Sequence, residues 1–189
     1  MARDDITRIL RELRDGASGA EEALLPLVYA ELHAMAHRQL TPGARDVTLD
    51  TTALVHEAYL RLFDRSRLDW SDRRHFFSVA AIAMRQIIVD HARKRSTAKR
   101  GGDLQRVELD STHLAVESQA EEILALNDAL SRLAQLDERL ARIVELRFFG
   151  GFSVEETAEV MEMSERTVKR DWRKARALLY RAITAREPA

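Results

Sequence analysis

The 189-residue chain has no cysteine. This excludes disulfides, thiolate zinc sites and cysteine nucleophiles together, and it fits a reducing, cytoplasmic location. Only 7 glycines and 3 prolines punctuate the chain, and aromatic residues are 6% of it. No apolar run approaches the roughly 20 residues of a membrane span, and the N-terminus lacks an apolar signal core, so no membrane association is expected. Net charge is also nearly absent, with 30 Lys+Arg against 31 Asp+Glu, a formal −1. That total argues against a uniformly basic nucleic-acid sleeve or an acidic solvating tail. Hydrophobic residues at 46% and charged ones at 32% exclude disorder throughout. Ala, Leu, Arg and Glu abound instead, and this balance predicts an all-α fold.

Apolar spacing predicts where the helices lie. Ile6, Ile9, Leu10 and Leu13 mark a short amphipathic helix, broken at residues 16–19. A longer helix follows from about Ala20 to Leu40, ended by Thr41-Pro42-Gly43. Asp50, Thr51 and Thr52 offer caps for a helix over about 51–64, with Leu54, Val55, Ala58, Tyr59, Leu62 and Phe63 as its stripe. Residues 65–74 read as an exposed loop carrying one large aromatic, Trp70. A helix from about Arg74 to Lys94 is very apolar through Phe76–Ile88 and basic at its end. Residues 96–119, with Gly101-Gly102 and weak periodicity, read as a flexible linker. A second helical block begins near Ala120. The expected organisation is two small helical domains, 1–95 and 120–189, joined by the 96–119 linker.

The most specific local signal is residues 153–176. Ser153 with Glu156 forms a capping box, a helix of about two turns follows, and Ser164 caps another. Arg166, Thr167, Lys169, Arg170 and Arg173 fall in the N-terminal half of that second helix, the half that enters the major groove in helix-turn-helix proteins. Residues 165–186 net +6, a stripe suited to phosphate contacts. A second basic cluster, including Arg85, Arg93, Lys94 and Arg95, nets +5 over residues 85–106. It closes a helix that begins with His75-Phe76-Phe77, and both phenylalanines are expected in the core. Cations beside exposed rings suit an opened DNA strand. Residues 107–138 net −7. The near-neutral total is therefore a cancellation between an acidic middle and two basic ends.

In this order the parts resemble a bacterial sigma factor of the extracytoplasmic-function (ECF) class over about residues 20–185. Residues 54–62 (LVHEAYLRL) are similar to the polymerase-binding helix of that family's first domain. Leu133-Ala134-Gln135-Leu136, Arg147-Phe148, Ser153–Ala158, Thr167–Arg170 and Lys174-Ala175-Arg176 resemble its second domain. The resemblance implies an alternative sigma factor, not an enzyme, that binds core RNA polymerase and directs promoter-specific initiation. Asp50, Leu54, His56, Glu57 and Arg61 would face the clamp coiled coil. Trp70, Arg85, Gln86, Arg93, Lys94 and Arg95 would serve the −10 element, and Arg166, Thr167, Lys169, Arg170 and Arg173 the −35 element.

One departure from the family pattern is informative. The family usually places acidic residues just before the segment matching Leu54-Val55, whereas this chain has Asp50-Thr51-Thr52-Ala53, with only Asp50 charged. Phosphorylation of Thr51 or Thr52 would restore about −1.5 to −2 charges at a helix N-terminus. A Ser/Thr protein kinase is therefore expected as a regulator, and an anti-sigma factor stays open as another. The alternative reading is a helix-turn-helix regulator that binds DNA alone, with residues 1–95 as a sensor or dimerisation domain.

Other chemistries find no support. His56-Glu57 opens like a zinc-protease motif, but position 60 is Leu. His33 and His37 share a helix face without a third ligand in reach. There is no phosphate-binding glycine loop and no nucleophile elbow. No catalytic residue, metal or cofactor is expected.

Overall fold

The computed structural model describes residues 2–40, 49–64, 72–101 and 111–185, with side chains omitted at 2–4, 64, 98–101 and 111–119. Among the described residues the chain is all-α and has no strand. In order come α1 (Ala2–Arg14), α2 (Ala20–Gln39), α3 (Thr51–Asp64), α4 (Arg73–Gly101), α5 (Ser111–Leu136), α6 (Glu138–Val144), a π-helical turn (Glu145–Phe149), α7 (Val154–Val160) and α8 (Glu165–Thr184). No described helix is long and apolar enough to cross a membrane.

The early helices form where the apolar spacing places them. Ile6, Ile9 and Leu10 of α1 are buried against α2. The α1 end is a Schellman closure: Ala17 N–H reaches the Glu12 carbonyl at 2.9 Å, Gly16 N–H reaches Leu13 at 3.0 Å, and Gly16 takes φ 79°. That left-handed geometry suits a residue without Cβ. Pro26 lies inside α2 and takes one N–H from its ladder. Nearby, the Tyr59 phenol donates to the Glu21 carbonyl at 2.7 Å and ties α3 to α2. Burial, with Glu21 adding to it, raises the Tyr59 pKa well above its ordinary value, so this donor stays protonated at any physiological pH.

Helix α4 is the axis of the molecule. Asp72 caps it by accepting the His75 N–H at 2.9 Å. Phe76, Ala80, Ala81, Met84 and Ile87 are completely or almost completely buried along it. It packs against α1, α2 and α3 on one side and against α5, the π-helical turn and α7 on the other. One continuous apolar core therefore runs from Ile6 to Leu179. The segment expected to be a linker is largely helical where described. Residues 96–101 continue α4, residues 111–119 begin α5, and 102–110 lie outside the described residues.

Polar contacts lock the two halves along the same seam. Arg85 of α4 reaches the Asn127 side chain at 2.7 Å and the Glu145 carboxylate at 3.2 Å. Arg142 donates to the buried Ser78 hydroxyl at 3.0 Å. Gln39 Nε2 donates to the carbonyls of Ala81 and Phe149, each at 3.2 Å. Arg38 donates to the Gly150 carbonyl at 3.0 Å, and Arg74 pairs with Glu159. Gly151, at φ 71°, passes so close to Arg38 that a Cβ there would run into the guanidinium.

Candidate nucleic-acid interface

The C-terminal hairpin is built from two capped helices. Ser153 Oγ accepts the Glu156 N–H at 3.1 Å while the Glu156 carboxylate accepts the Ser153 N–H at 2.9 Å. This reciprocal pair satisfies two of the free donors at the start of α7. Thr157 is fully buried and donates its hydroxyl to the Ser153 carbonyl at 2.7 Å. The turn closes through Met163 N–H on the Ala158 carbonyl at 2.9 Å, with Glu162 at φ 52°. Ser164 then caps α8 by accepting the Thr167 N–H at 3.2 Å. Replacing Ser153 with Ala should lower stability by about 1 kcal/mol, read as a lower Tm in thermal circular dichroism.

Helix α8 buries one stripe, Val168, Asp171, Ala175 and Leu179. The opposite side faces solvent. Arg166, Lys169, Arg170 and Arg173 are exposed, and Thr167 is half-buried beside its cap. Lys169 pairs with Glu165 at 3.0 Å, one turn back on the same face. The four cations expected at the major groove therefore share one open surface, with Thr167 at its edge.

The other basic cluster is divided. Gln86, Arg93, Lys94 and Arg95 are exposed along α4, whereas Arg85 is only 16% exposed. It is held by Asn127 and Glu145, with its guanidinium 5.8 Å from the Phe149 ring centroid. Four of the five α4 residues expected at the −10 element thus face solvent, and the fifth fastens the two halves. Trp70 lies outside the described residues. Phe76 and Phe77 are buried and in edge-to-face contact at 5.3 Å, as core residues.

On α3, Asp50 is the cap, its carboxylate accepting the Ala53 N–H at 2.7 Å. Thr51 and Thr52 therefore occupy the first two helical positions. Thr52, Ala53, His56, Glu57 and Leu60 are exposed, and Arg61 is partly so. Leu54 does not share this face, because it is fully buried in the core. Glu57 meets His91 at 3.3 Å and Arg61 meets Asp90 at 3.1 Å, which fixes the face against α4. The motif reading passed over Leu60, which is 68% exposed in the middle of this face. Its position four residues after His56 and eight after Thr52 is the signal that would have found it. Among the described residues no three His, Asp or Glu side chains gather as a metal site.

The chain is an all-α protein in which two capped helices, α7 and α8, are joined by a short turn and the second carries an open cationic face. The family model for ECF sigma factors matches residues 3–185, so the chain belongs to the ECF sigma factor family. No curated protein matches the chain. The family is one of alternative sigma factors that direct transcription, binding RNA polymerase and promoter DNA, and it is not an enzyme class.

Proposed function

We propose that residues 120–189 read the −35 element through α8, and that residues 1–95 serve the −10 element through α4 and the polymerase clamp through α3. We further propose that the polymerase contact is completed only when negative charge is added at Thr52 or Thr51. The observation that carries this reading is the exposed α3 face. It presents an apolar centre, Leu60, and one carboxylate, Glu57, but only uncharged side chains at 51–53. A phosphate on Thr52 would sit at the helix start, where N–H groups and the helix dipole favour an anion. Thr52 is favoured because it is exposed, whereas Thr51 is half-buried and stands one turn before the buried Val55. The partners are then core polymerase, promoter DNA and a Ser/Thr kinase, all met in the cytoplasm.

The test is initiation reconstituted from core polymerase and the unmodified or kinase-treated chain. Promoter-dependent transcript without any other sigma factor supports the reading. Footprinting of duplex DNA with no effect on core polymerase would favour a stand-alone regulator instead. Within the same assay, Leu60→Asp should weaken binding to core polymerase about fivefold, of the order of 1 kcal/mol, by putting a charge where an apolar contact is made. Circular dichroism should remain unchanged, since the side chain is exposed.

A further inference from the structure

Asp171 is an acid in a helix otherwise crowded with cations, and it is only 2% exposed. Its position on the Val168–Ala175–Leu179 stripe turns it toward α6 rather than toward solvent. Oδ1 accepts Arg170 Nε at 2.9 Å. Oδ2 lies 3.1 Å from Arg139 Nε, but this is a charge contact without hydrogen-bond alignment, and Oδ2 has no hydrogen bond. Arg170 and Arg139 are themselves 64% and 48% exposed. One buried carboxylate therefore holds two largely exposed guanidinium groups from two different helices. Without the acid, two like charges would repel each other at this spacing. The start of α6 is tied to α8 a second time, since the Asp137 carboxylate lies 3.8 Å from Lys174 Nζ.

We infer that Asp171 is a positioning residue for DNA contact. It draws the Arg139 side chain of α6 to stand beside Arg170 of α8, so that the two guanidinium groups form a paired clamp for the duplex backbone. Guanidinium forks match phosphate oxygens in geometry as well as charge. Arg139 thereby joins the DNA surface although it lies outside the helix-turn-helix. The inference rests on the reading of α8 as the DNA-contacting helix.

The sign of the effect makes it testable. Replacing Asp171 with Asn removes a negative charge, so charge counting alone predicts tighter DNA binding. Positioning predicts the reverse. The full chain is titrated against a random-sequence 20-base-pair duplex by fluorescence anisotropy over a range of salt. Asp171→Asn should bind about fivefold more weakly at low salt, with a log K against log salt slope shallower by about 0.9, the loss of one phosphate contact. Arg139→Ala should do the same, and combining the two should add nothing further, whereas Arg11→Ala on α1 should leave the slope unchanged. Equal or tighter binding by Asp171→Asn with an unchanged slope overturns the inference, as does an unchanged slope for Arg139→Ala. Should circular dichroism show that Asp171→Asn does not fold, the surface variant Arg139→Ala decides alone. Wild type without salt-dependent binding would overturn the reading of α8 itself.

Discussion

Replacing Arg170 and Arg173 together with Ala is expected to reduce promoter-directed transcription by at least 30-fold. Both residues are exposed on the solvent-facing side of α8, which is proposed to enter the groove, and neither contributes to the buried stripe. A well-placed Arg contact to a base edge is worth about 1–3 kcal/mol of discrimination. Two such losses amount to roughly 2–6 kcal/mol, which is about 30-fold at the low end and above 10⁴-fold at the high end. If both contact phosphates instead, binding falls on all sequences and the salt slope becomes shallower by about 1.8. The two cases separate on comparing a promoter duplex with a scrambled one, since only base contacts change their ratio. The double substitution of Arg8 and Arg11 on α1 removes the same net charge and serves as the control. If that control loses as much activity, the effect is one of overall charge and α8 has no special role. Folding should survive in the double variant, because the caps at Ser153 and Ser164 are untouched and the buried Asp171, which loses Arg170, keeps Arg139 beside it at 3.1 Å.

Much of this surface was legible in the sequence because its determinants are local. A Ser followed three residues later by Glu, a short turn and a second Ser are contiguous signals, and both helices begin where these caps place them. The stripe of α3 and the buried pair Phe76 and Phe77 follow from helical periodicity in the same way. Periodicity fails where a helix has no apolar stripe. The α4 tail after Lys94 is Arg, Ser, Thr, Ala, Lys, Arg and Gly, mostly good or tolerable helix formers with no apolar stripe in their sequence, so an apolar pattern could not reveal it. Asp171 is an intermediate case. Composition recorded it as one acid among cations, yet its 3-4-4 spacing from Val168 to Leu179 marks the buried side.

Docking of the two halves was not legible at all. Arg85 meets Glu145 60 residues away, and Gln39 meets Phe149 110 residues away. No composition or spacing rule pairs such positions. The consequence for the proposed function is an asymmetry between the two surfaces expected to meet DNA. The α8 face is open in this arrangement, while Arg85, a cation expected at the −10 element, is taken up by Glu145 and Asn127. Releasing it means breaking a partly buried ion pair, and leaving either charge unpaired in place is costly.

Thr52→Asp is expected to raise initiation by the unmodified chain about tenfold, and Thr52→Ala to abolish any gain from kinase treatment. Asp50 already occupies the cap and takes the Ala53 N–H. The N–H groups of the first two helical residues remain without a helical carbonyl partner, as at any helix start. A carboxylate at position 52 lies within the first turn, where it interacts favourably with the helix dipole by about 0.3–1 kcal/mol. The larger effect acts on the partner. Thr52, His56 and Leu60 follow each other at intervals of four on one exposed side of α3. On the proposed reading, a negative charge at the head of that row would pair with cationic groups of the polymerase in a partly desolvated contact. A charge-assisted hydrogen bond there is worth about 1.5–3 kcal/mol, more than tenfold in affinity. Asp carries one charge and two oxygens, where a phosphothreonine carries nearly two charges and three oxygens, so the substitution should recover only part of the effect. Thr51→Asp should recover less, because its side chain is directed toward the buried side of the helix. The expected order of activity is therefore phosphorylated wild type, Thr52→Asp, Thr51→Asp, and then unmodified wild type level with Thr52→Ala. Full activity of unmodified wild type, undiminished in both alanine variants, would show that α3 binds polymerase without the added charge. The exposed face centred on Leu60 and Glu57 would then have to supply that contact unaided.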